Sequence, residues 1–356
     1  MSHRLRACLL AIVLLGTLAA CAPTLQQPGR PGAEFSGPRL EARDFVSFDG
    51  TRLGLSRWAP SAGEPWAVIV GVHGMNDYAN AFHLAAPYWA SQGVATIAYD
   101  QRGFGRSPAR GVWAPDALRI EDLRTIVALA RAHWPHAVIA VAGESLGGAV
   151  AIEAFASSDP PAADRLVLLA PAVWGWSTQP FGYKAMLWLA ANLIPGKVLT
   201  PPDWLTSHVS ASDNVEELIA MGRDPLMIWG ARSDALYGLV GTMQRAWSEV
   251  GDVRVPTLYL YGAHDEIIPR KPTLEAVRRL REDSRTAYYA KGWHLLLRDR
   301  QAQAVWRDTV AFIADPKAPL PSGAPPILAG ARPPAPAREG AAHEGGGQAG
   351  AASPGL

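Results

Sequence analysis

Cysteine is nearly missing from this chain, with two in 356 residues, Cys8 and Cys21. Both lie near the N-terminus, so a disulfide framework or a thiolate metal site is excluded from everything that follows. An excess of one charge is missing as well: 33 Lys and Arg stand against 32 Asp and Glu, a formal net charge of +1. Nucleic-acid binding, which wants a concentrated basic face, is not expected. No apolar run reaches the roughly 20 residues that a membrane-spanning helix needs. No internal repeat is visible, which argues against a solenoid. What remains is a chain with 49% hydrophobic residues, enough to fill a sizeable core.

The most informative stretch present is Gly143-Glu144-Ser145-Leu146-Gly147. An apolar, strand-like run, residues 137–142, precedes it, and a helix-like stretch from Gly148 to Phe155 follows. Strand, G-x-S-x-G, helix is the context of a nucleophile elbow. Such a turn strains the serine backbone, and side chains two positions either side would collide, which calls for glycine there. The serine hydroxyl is then held at a helix N-terminus that favours negative charge.

A serine nucleophile needs a base and an orienting acid, expected in the chain order Ser, Asp or Glu, His. After Ser145 the histidines are His208, His264, His294 and His343, the last in a low-complexity tail. His294 follows a strand-like run, residues 285–290, and a glycine, which would deliver its ring to the C-terminal edge of a sheet. Asp265 follows another strand, residues 255–261, and is placed to accept the imidazole N–H and stabilise the imidazolium. His264, its neighbour, reads as a rim residue. Two backbone N–H groups should form an oxyanion hole: that of Leu146, after the nucleophile, and that of Met75, in the loop His73-Gly74-Met75-Asn76 after strand 67–72. Gly74 would let that loop approach closely, and His73 reads as a structural turn residue. Such donors contribute roughly 3–4 kcal/mol of barrier lowering each.

These blocks, together with Asp100-Gln101-Arg102-Gly103-Phe104-Gly105-Arg106-Ser107 and Gly292-Trp293-His294, resemble the α/β-hydrolase superfamily, within it the monoacylglycerol lipase, lysophospholipase and serine-aminopeptidase-like (S33) group. The resemblance spans roughly residues 44–314. It implies an α/β fold, a mostly parallel sheet flanked by helices, with a helical cap over the active site. It also implies a Ser145–His294–Asp265 carboxylic ester hydrolase working through an acyl-enzyme, with no cofactor and no metal. Many relatives carry histidine before the nucleophile, where this chain has Glu144.

The alternation of elements agrees. Residues 44–48 and 53–58 flank Asp49-Gly50, a hairpin signal. Strands are expected at 67–72, 94–99, 137–142, 165–170, 255–261 and 285–290, and helices near 80–92, 116–133, 146–157, 272–282 and 301–314. Such a series implies a parallel sheet with helices on both faces. Residues 172–232 are too long for a plain crossover and should form the cap. Its apolar side chains suit an acyl chain, and Phe181 to Leu189 could also rest on a membrane surface. The resemblance, with this apolar cap, implies a monoacylglycerol or lysophospholipid as the leading expected substrate. An aminopeptidase or short-chain esterase is a second reading; the former would need an acidic cluster, for which the cap offers Asp213, Glu216 and Glu217. A non-catalytic envelope binding protein is a third.

Arg4 and Arg6 precede an apolar segment from Ala7 to Leu18, the pattern of a secretory signal. It ends Leu18-Ala19-Ala20-Cys21, which resembles a bacterial lipobox. Residues 1–20 are therefore expected to be a lipoprotein signal peptide and Cys21 the lipidation site. The enzyme would be lipid-anchored in the bacterial cell envelope, with Ala22 after the cysteine pointing to the outer rather than the inner membrane. Residues 21–43, rich in Pro, Gly and Gln, would be a linker. Residues 315–356 contain 9 Pro, 8 Gly and 11 Ala, a composition that predicts disorder.

Cys21→Ser removes the only thiol able to take a diacylglyceryl group at that box, so processing should fail and leave an unlipidated precursor. Mass spectrometry of the N-terminal peptide decides the matter. An unmodified mature N-terminus at any other residue would reject lipidation.

Overall fold

The computed structural model describes residues 23–200 and 209–331. The expected signal peptide, residues 1–20, and Cys21 lie outside the described residues, as do His208 and His343. The described chain opens with three strands, β1 (Arg39–Leu40), β2 (Asp44–Val46) and β3 (Arg52–Trp58). They pair antiparallel, with the Asp49-Gly50 turn joining β2 to β3 and Gly50 at a φ of 76°. Then come β4 (Ala67–Val72), β5 (Val94–Tyr99), β6 (Val138–Glu144) and β7 (Arg165–Leu169). A separate two-stranded ribbon is made by β8 (Val198–Leu199) and β9 (Ala231–Arg232). Strands β10 (Thr257–Gly262) and β11 (Arg285–Tyr289) complete the main sheet, whose order is β1-β2-β3-β5-β4-β6-β7-β10-β11. From β5 onward the pairings are parallel, so the α/β-hydrolase architecture is the one observed.

Strands β4 and β5 are buried along their whole length, as a parallel sheet covered on both faces requires. The period of two sorts their side chains. Val68, Val70 and Val72 join one core with Leu123, Ile126 and Val127. Ala67 and Ile69 join the other with Trp89, Val305 and Phe312. The covering helices are α1 (Ala85–Ser91), α2 (Asp116–His133), α3 (Leu146–Ala156), α4 (Phe181–Leu193), α5 (Val215–Arg223), α6 (Ser233–Glu249), α7 (Arg270–Val277), α8 (Ala302–Ala314) and α9 (Ile327–Gly330). The helix expected near 80–92 is split into a 3₁₀ turn, Ala79–Phe82, and α1. Pro87 accounts for this: lacking an N–H, it is tolerated in a first turn and not further inside a helix.

The Asp100 to Ser107 block is structural. Arg102 is buried and paired with Asp122 at 2.7 Å and Asp49 at 2.9 Å, while Asp100 receives Arg106 Nε at 2.8 Å. These pairs fasten the loop after β5 to the N-terminal hairpin and α2.

Two segments are better ordered than their composition predicts. The stretch read as a linker lies on the domain in its described part. Gln26 donates from its backbone to Trp113 O at 2.9 Å and from its side chain to Val112 O at 2.7 Å, and Thr24 N–H donates to Asp234 at 3.1 Å. The expectation of disorder from residue 315 is corrected for residues 316–331. Leu320 and Ile327 are buried, Pro325 O accepts from Tyr288 N–H at 2.8 Å, and Ser322 N–H donates to Asp308 at 2.8 Å. Composition averages over the segment and hides two apolar anchors, each of which offsets the ordering of a few residues.

Ile327→Ala should therefore cost about 2–5 kcal/mol in urea unfolding. A change at a disordered position would cost nothing.

Candidate active site

Strand β6 ends in a tightly constrained turn. Ser145 sits at φ 52° and ψ −115°, a conformation L-residues rarely adopt. A Cβ on Gly143 would stand 2.6 Å from Gly147 O, and one on Gly147 would overlap Val72 O. Both glycines are therefore required by contact, not by flexibility alone. Ser145 N–H donates to Leu169 O at 3.0 Å and its carbonyl accepts from Ala172 N–H at 2.9 Å, so the end of β7 clamps the strained residue. The side chain is left at the N-terminus of α3.

His294 arrives on the loop after β11, and its Nδ1 lies 2.9 Å from Asp265 Oδ2. Asp265, just past β10, is fixed by Ile267 N–H at 2.9 Å and Ile268 N–H at 2.8 Å. The chain order and pairing expected from the sequence are thus the ones observed. Burial alone would lower the His294 pKa; the charge and hydrogen bond of Asp265, with the nearby Glu144, together hold the imidazole above its ordinary value. Ser145 and His294 line one cavity of roughly 580 Å³. Among the described residues no hydrogen bond joins Ser145 Oγ to the ring, a looseness common before substrate is bound. His264 is exposed and stacks on Trp293 at 5.3 Å, the rim position anticipated for it.

Gly74 brings the loop after β4 against Ser145: a Cβ there would meet Ser145 Cβ at 3.3 Å. Met75 lines the cavity. Among the described residues, neither Met75 N–H nor Leu146 N–H donates to another protein group, so both amides are free for an oxygen near Ser145. His73 is buried away from this: its Nε2 accepts from Gln101 N–H at 2.8 Å and its Nδ1 lies 2.7 Å from Gly74 O. Those partners define a neutral tautomer with the proton on Nδ1, and burial lowers its pKa accordingly.

Sequence reasoning missed a buried charge cluster. Arg298 Nη2 donates to Asp77 Oδ2 at 2.7 Å and to Glu144 Oε2 at 2.9 Å. Asp77 and Glu144 line the cavity, whereas Asp213, Glu216 and Glu217 do not. Asp213 instead accepts from Arg300 N–H at 2.9 Å, and Glu217 sits 3.5 Å from His83. The one available signal was Glu144 itself, an acid in a run of residues destined for burial. Its partner, far along the chain, had no local mark. Asp299 is a second such residue: it accepts from Trp293 N–H at 2.6 Å and Ser212 Oγ at 2.7 Å, tying the histidine loop to the cap. Burial pushes its carboxyl up to about 7, against those hydrogen bonds.

The cap supplies the apolar wall through Met221, Met227, Ile228 and Trp229, joined by Ile267 and Leu295. On α4 only Leu187 and Ala191 are buried. Phe181 is 84% exposed, Met186 61% and Trp188 52%, so most of that helix's apolar surface is not spent on packing the cap to the body.

A family model described as serine aminopeptidase, S33, matches residues 63–301. The monoacylglycerol lipase of Mycolicibacterium smegmatis is 26% identical over 272 residues, 76% of this chain and 95% of that protein. Among solved structures, the Paleococcus ferrophilus monoacylglycerol lipase superposes with a TM-score of 0.59 at 20% identity, covering 73% of this chain and 98% of the other. A soluble variant of the Saccharomyces cerevisiae monoglyceride lipase does so at 0.63 with 15% identity, covering 81% and 98%. At these identities the solved structures speak for the fold.

The pairing of His294 with Asp265 predicts that the imidazole gains its proton above the ordinary histidine value of about 6.5. Asp265→Asn should move that titration downward, toward the value burial alone would set, in nitrogen-15 NMR of the ring. An unmoved titration would mean that Asp265 is not the partner.

Proposed function

The chain belongs to the serine aminopeptidase S33 family of α/β-hydrolases and is a hydrolase; from that premise we propose that it cleaves carboxylic esters of lipid-like alcohols through an acyl-enzyme on Ser145. The observation that carries the reading is the strained Ser145 sharing one cavity with an Asp265-bound His294. Ser145 Oγ attacks the ester carbonyl while His294 Nε2 takes its proton. Met75 and Leu146 N–H groups receive the oxyanion. The imidazolium, stabilised by Asp265, protonates the leaving alcohol, and the same ring then activates water for deacylation. Every step is supplied by protein groups.

A monoacylglycerol is the substrate class favoured by the names of the relatives; the apolar cap wall would serve it or a lysophospholipid alike. The aminopeptidase alternative would need an acid for the substrate amine. The candidates in the cap, Asp213, Glu216 and Glu217, do not line the cavity, and the two acids that do, Asp77 and Glu144, are both held by Arg298. The binding-protein alternative gains nothing from a strained serine, which costs stability without adding affinity. We further propose that Cys21 carries the lipid that holds the enzyme in a bacterial envelope membrane. The exposed apolar side of α4, whose only charge is Lys184, supports contact with that surface.

Ser145→Ala should abolish ester turnover and fluorophosphonate labelling with the fold intact, and His294→Ala should do nearly the same because the members act as a unit. Asp265→Asn should lower kcat by about 10⁴-fold; Asp234→Asn, at an α6 acid paired with Arg232 of β9, should leave kcat near wild type. A chromogenic ester chain-length series run beside aminoacyl substrates separates the readings. Preferential turnover of aminoacyl amides, or near-wild-type turnover in Ser145→Ala, would sink the proposal.

A further inference from the structure

Three loops must meet for the chemistry above: the Met75 loop, the Ser145 turn and the His294 loop. They leave different strand ends, and one side chain touches all three. Glu144 directly precedes Ser145, Asp77 lies two residues beyond Met75, and Arg298 lies four beyond His294. One Arg298 nitrogen serves both carboxylates, at 2.7 and 2.9 Å. All three residues are buried, with exposures of 2%, 0% and 4% for Arg298, Glu144 and Asp77. The same arginine reaches the cap: its carbonyl accepts from Asn214 Nδ2 at 2.8 Å, and its Nη1 lies 3.6 Å from Met221 Sδ on α5.

Stability does not account for such a cluster. Burying charges is costly, and well-packed uncharged residues of the same volume often serve a fold as well or better. Here the arrangement also leaves Glu144 Oε1 and Arg298 Nε without partners among the described residues, a further cost. What a bridged guanidinium supplies that apolar packing does not is fixed geometry among its partners. We propose that Arg298, bridged to Asp77 and Glu144, is the positioning residue that holds the oxyanion loop, the nucleophile turn and the histidine loop at working distance. The inference rests on the hydrolase reading and adds to it three residues that never touch the reacting atoms. A misplacement of about 1 Å between such loops is enough to cost on the order of 10²-fold in rate.

The cluster also sets the local charge. Glu144 raises and Arg298 lowers the proton affinity of His294, after burial and Asp265 have acted. Glu217 faces Arg298 from α5 and is itself paired with His83. A pH profile therefore reports on the cluster in a way that a merely structural role would not.

The test uses the full chain. The triple variant Asp77→Asn, Glu144→Gln, Arg298→Met removes every charge of the cluster while keeping its volume, so its thermal midpoint should stay near wild type. Its kcat should nonetheless fall about 10²-fold, with KM within about threefold and fluorophosphonate labelling slowed in parallel. Glu144→Gln alone keeps an acceptor for Arg298 and is the second arm, decisive if the triple variant does not fold. It should lower kcat at least about tenfold, and the acid limb of kcat/KM should move to lower pH because a charge that raised the His294 pKa is gone. A folded variant whose kcat, labelling rate and acid limb all match wild type would overturn the proposal while leaving the hydrolase reading untouched. A wild-type chain that neither labels nor turns over esters would overturn both.

Discussion

At the centre of the sheet, the Val72 carbonyl occupies the space that any side chain on Gly147 would need. That one steric fact decides how β6 can end. The chain must reverse at Ser145 with a positive φ, and α3 must start within a residue of the strand's last ladder bond. A backbone so placed costs on the order of 1–3 kcal/mol and persists only where neighbours over-determine it. Here the neighbours are the end of β7, which holds both backbone groups of Ser145, and the fully buried strand β4 beside the turn. The parallel order of β4, β6, β7, β10 and β11 then brings the Gly74, Ser145, Asp265 and His294 segments to one edge of the sheet, since each leaves the C-terminal end of its strand.

Burial does different things to the ionisable groups gathered at that edge. It lowers His73, whose partners already define a neutral ring. For His294 the same desolvation is outweighed by Asp265 and Glu144 together, and the imidazole is held ready to carry charge. Glu144 is raised by burial against the pull of Arg298. Two histidines in one neighbourhood thus take opposite roles because one faces a carboxylate and the other a carbonyl and an amide. The cap closes over these groups by short ties to the histidine loop, Ala211 O accepting from Leu295 N–H at 2.9 Å and Ser212 donating to Asp299 at 2.7 Å. Displacing the cap would therefore disturb His294 as well as the apolar wall.

The nucleophile turn, the hairpin at Asp49-Gly50, the six parallel strands and the Asp265–His294 pairing were all legible in the amino-acid order. Each rests on local rules: glycine where a Cβ cannot fit, a period of two or of 3.6, a carboxylate and a histidine each following a strand. Helix ends were less legible. Pro87 moves the start of α1, and α7 begins at Arg270, after Pro269. The order of residues 316–331 was not legible, because two buried side chains, Leu320 and Ile327, decide it against a composition that says otherwise.

Sequence alone singled out Ser145, His294 and Asp265 as the proposed nucleophile, base and acid, because those assignments follow from motifs and chain order. Only the tertiary structure decided which acids face the cavity. Glu144 and Glu217 look alike in the chain, yet one ends beside Ser145 under Arg298 and the other beside His83. The partner of a buried charge is chosen by the folding together of residues as distant as 154 positions, as Glu144 and Arg298 are. No local pattern encodes that distance, because desolvation penalises an unpaired buried charge wherever its partner lies in the chain.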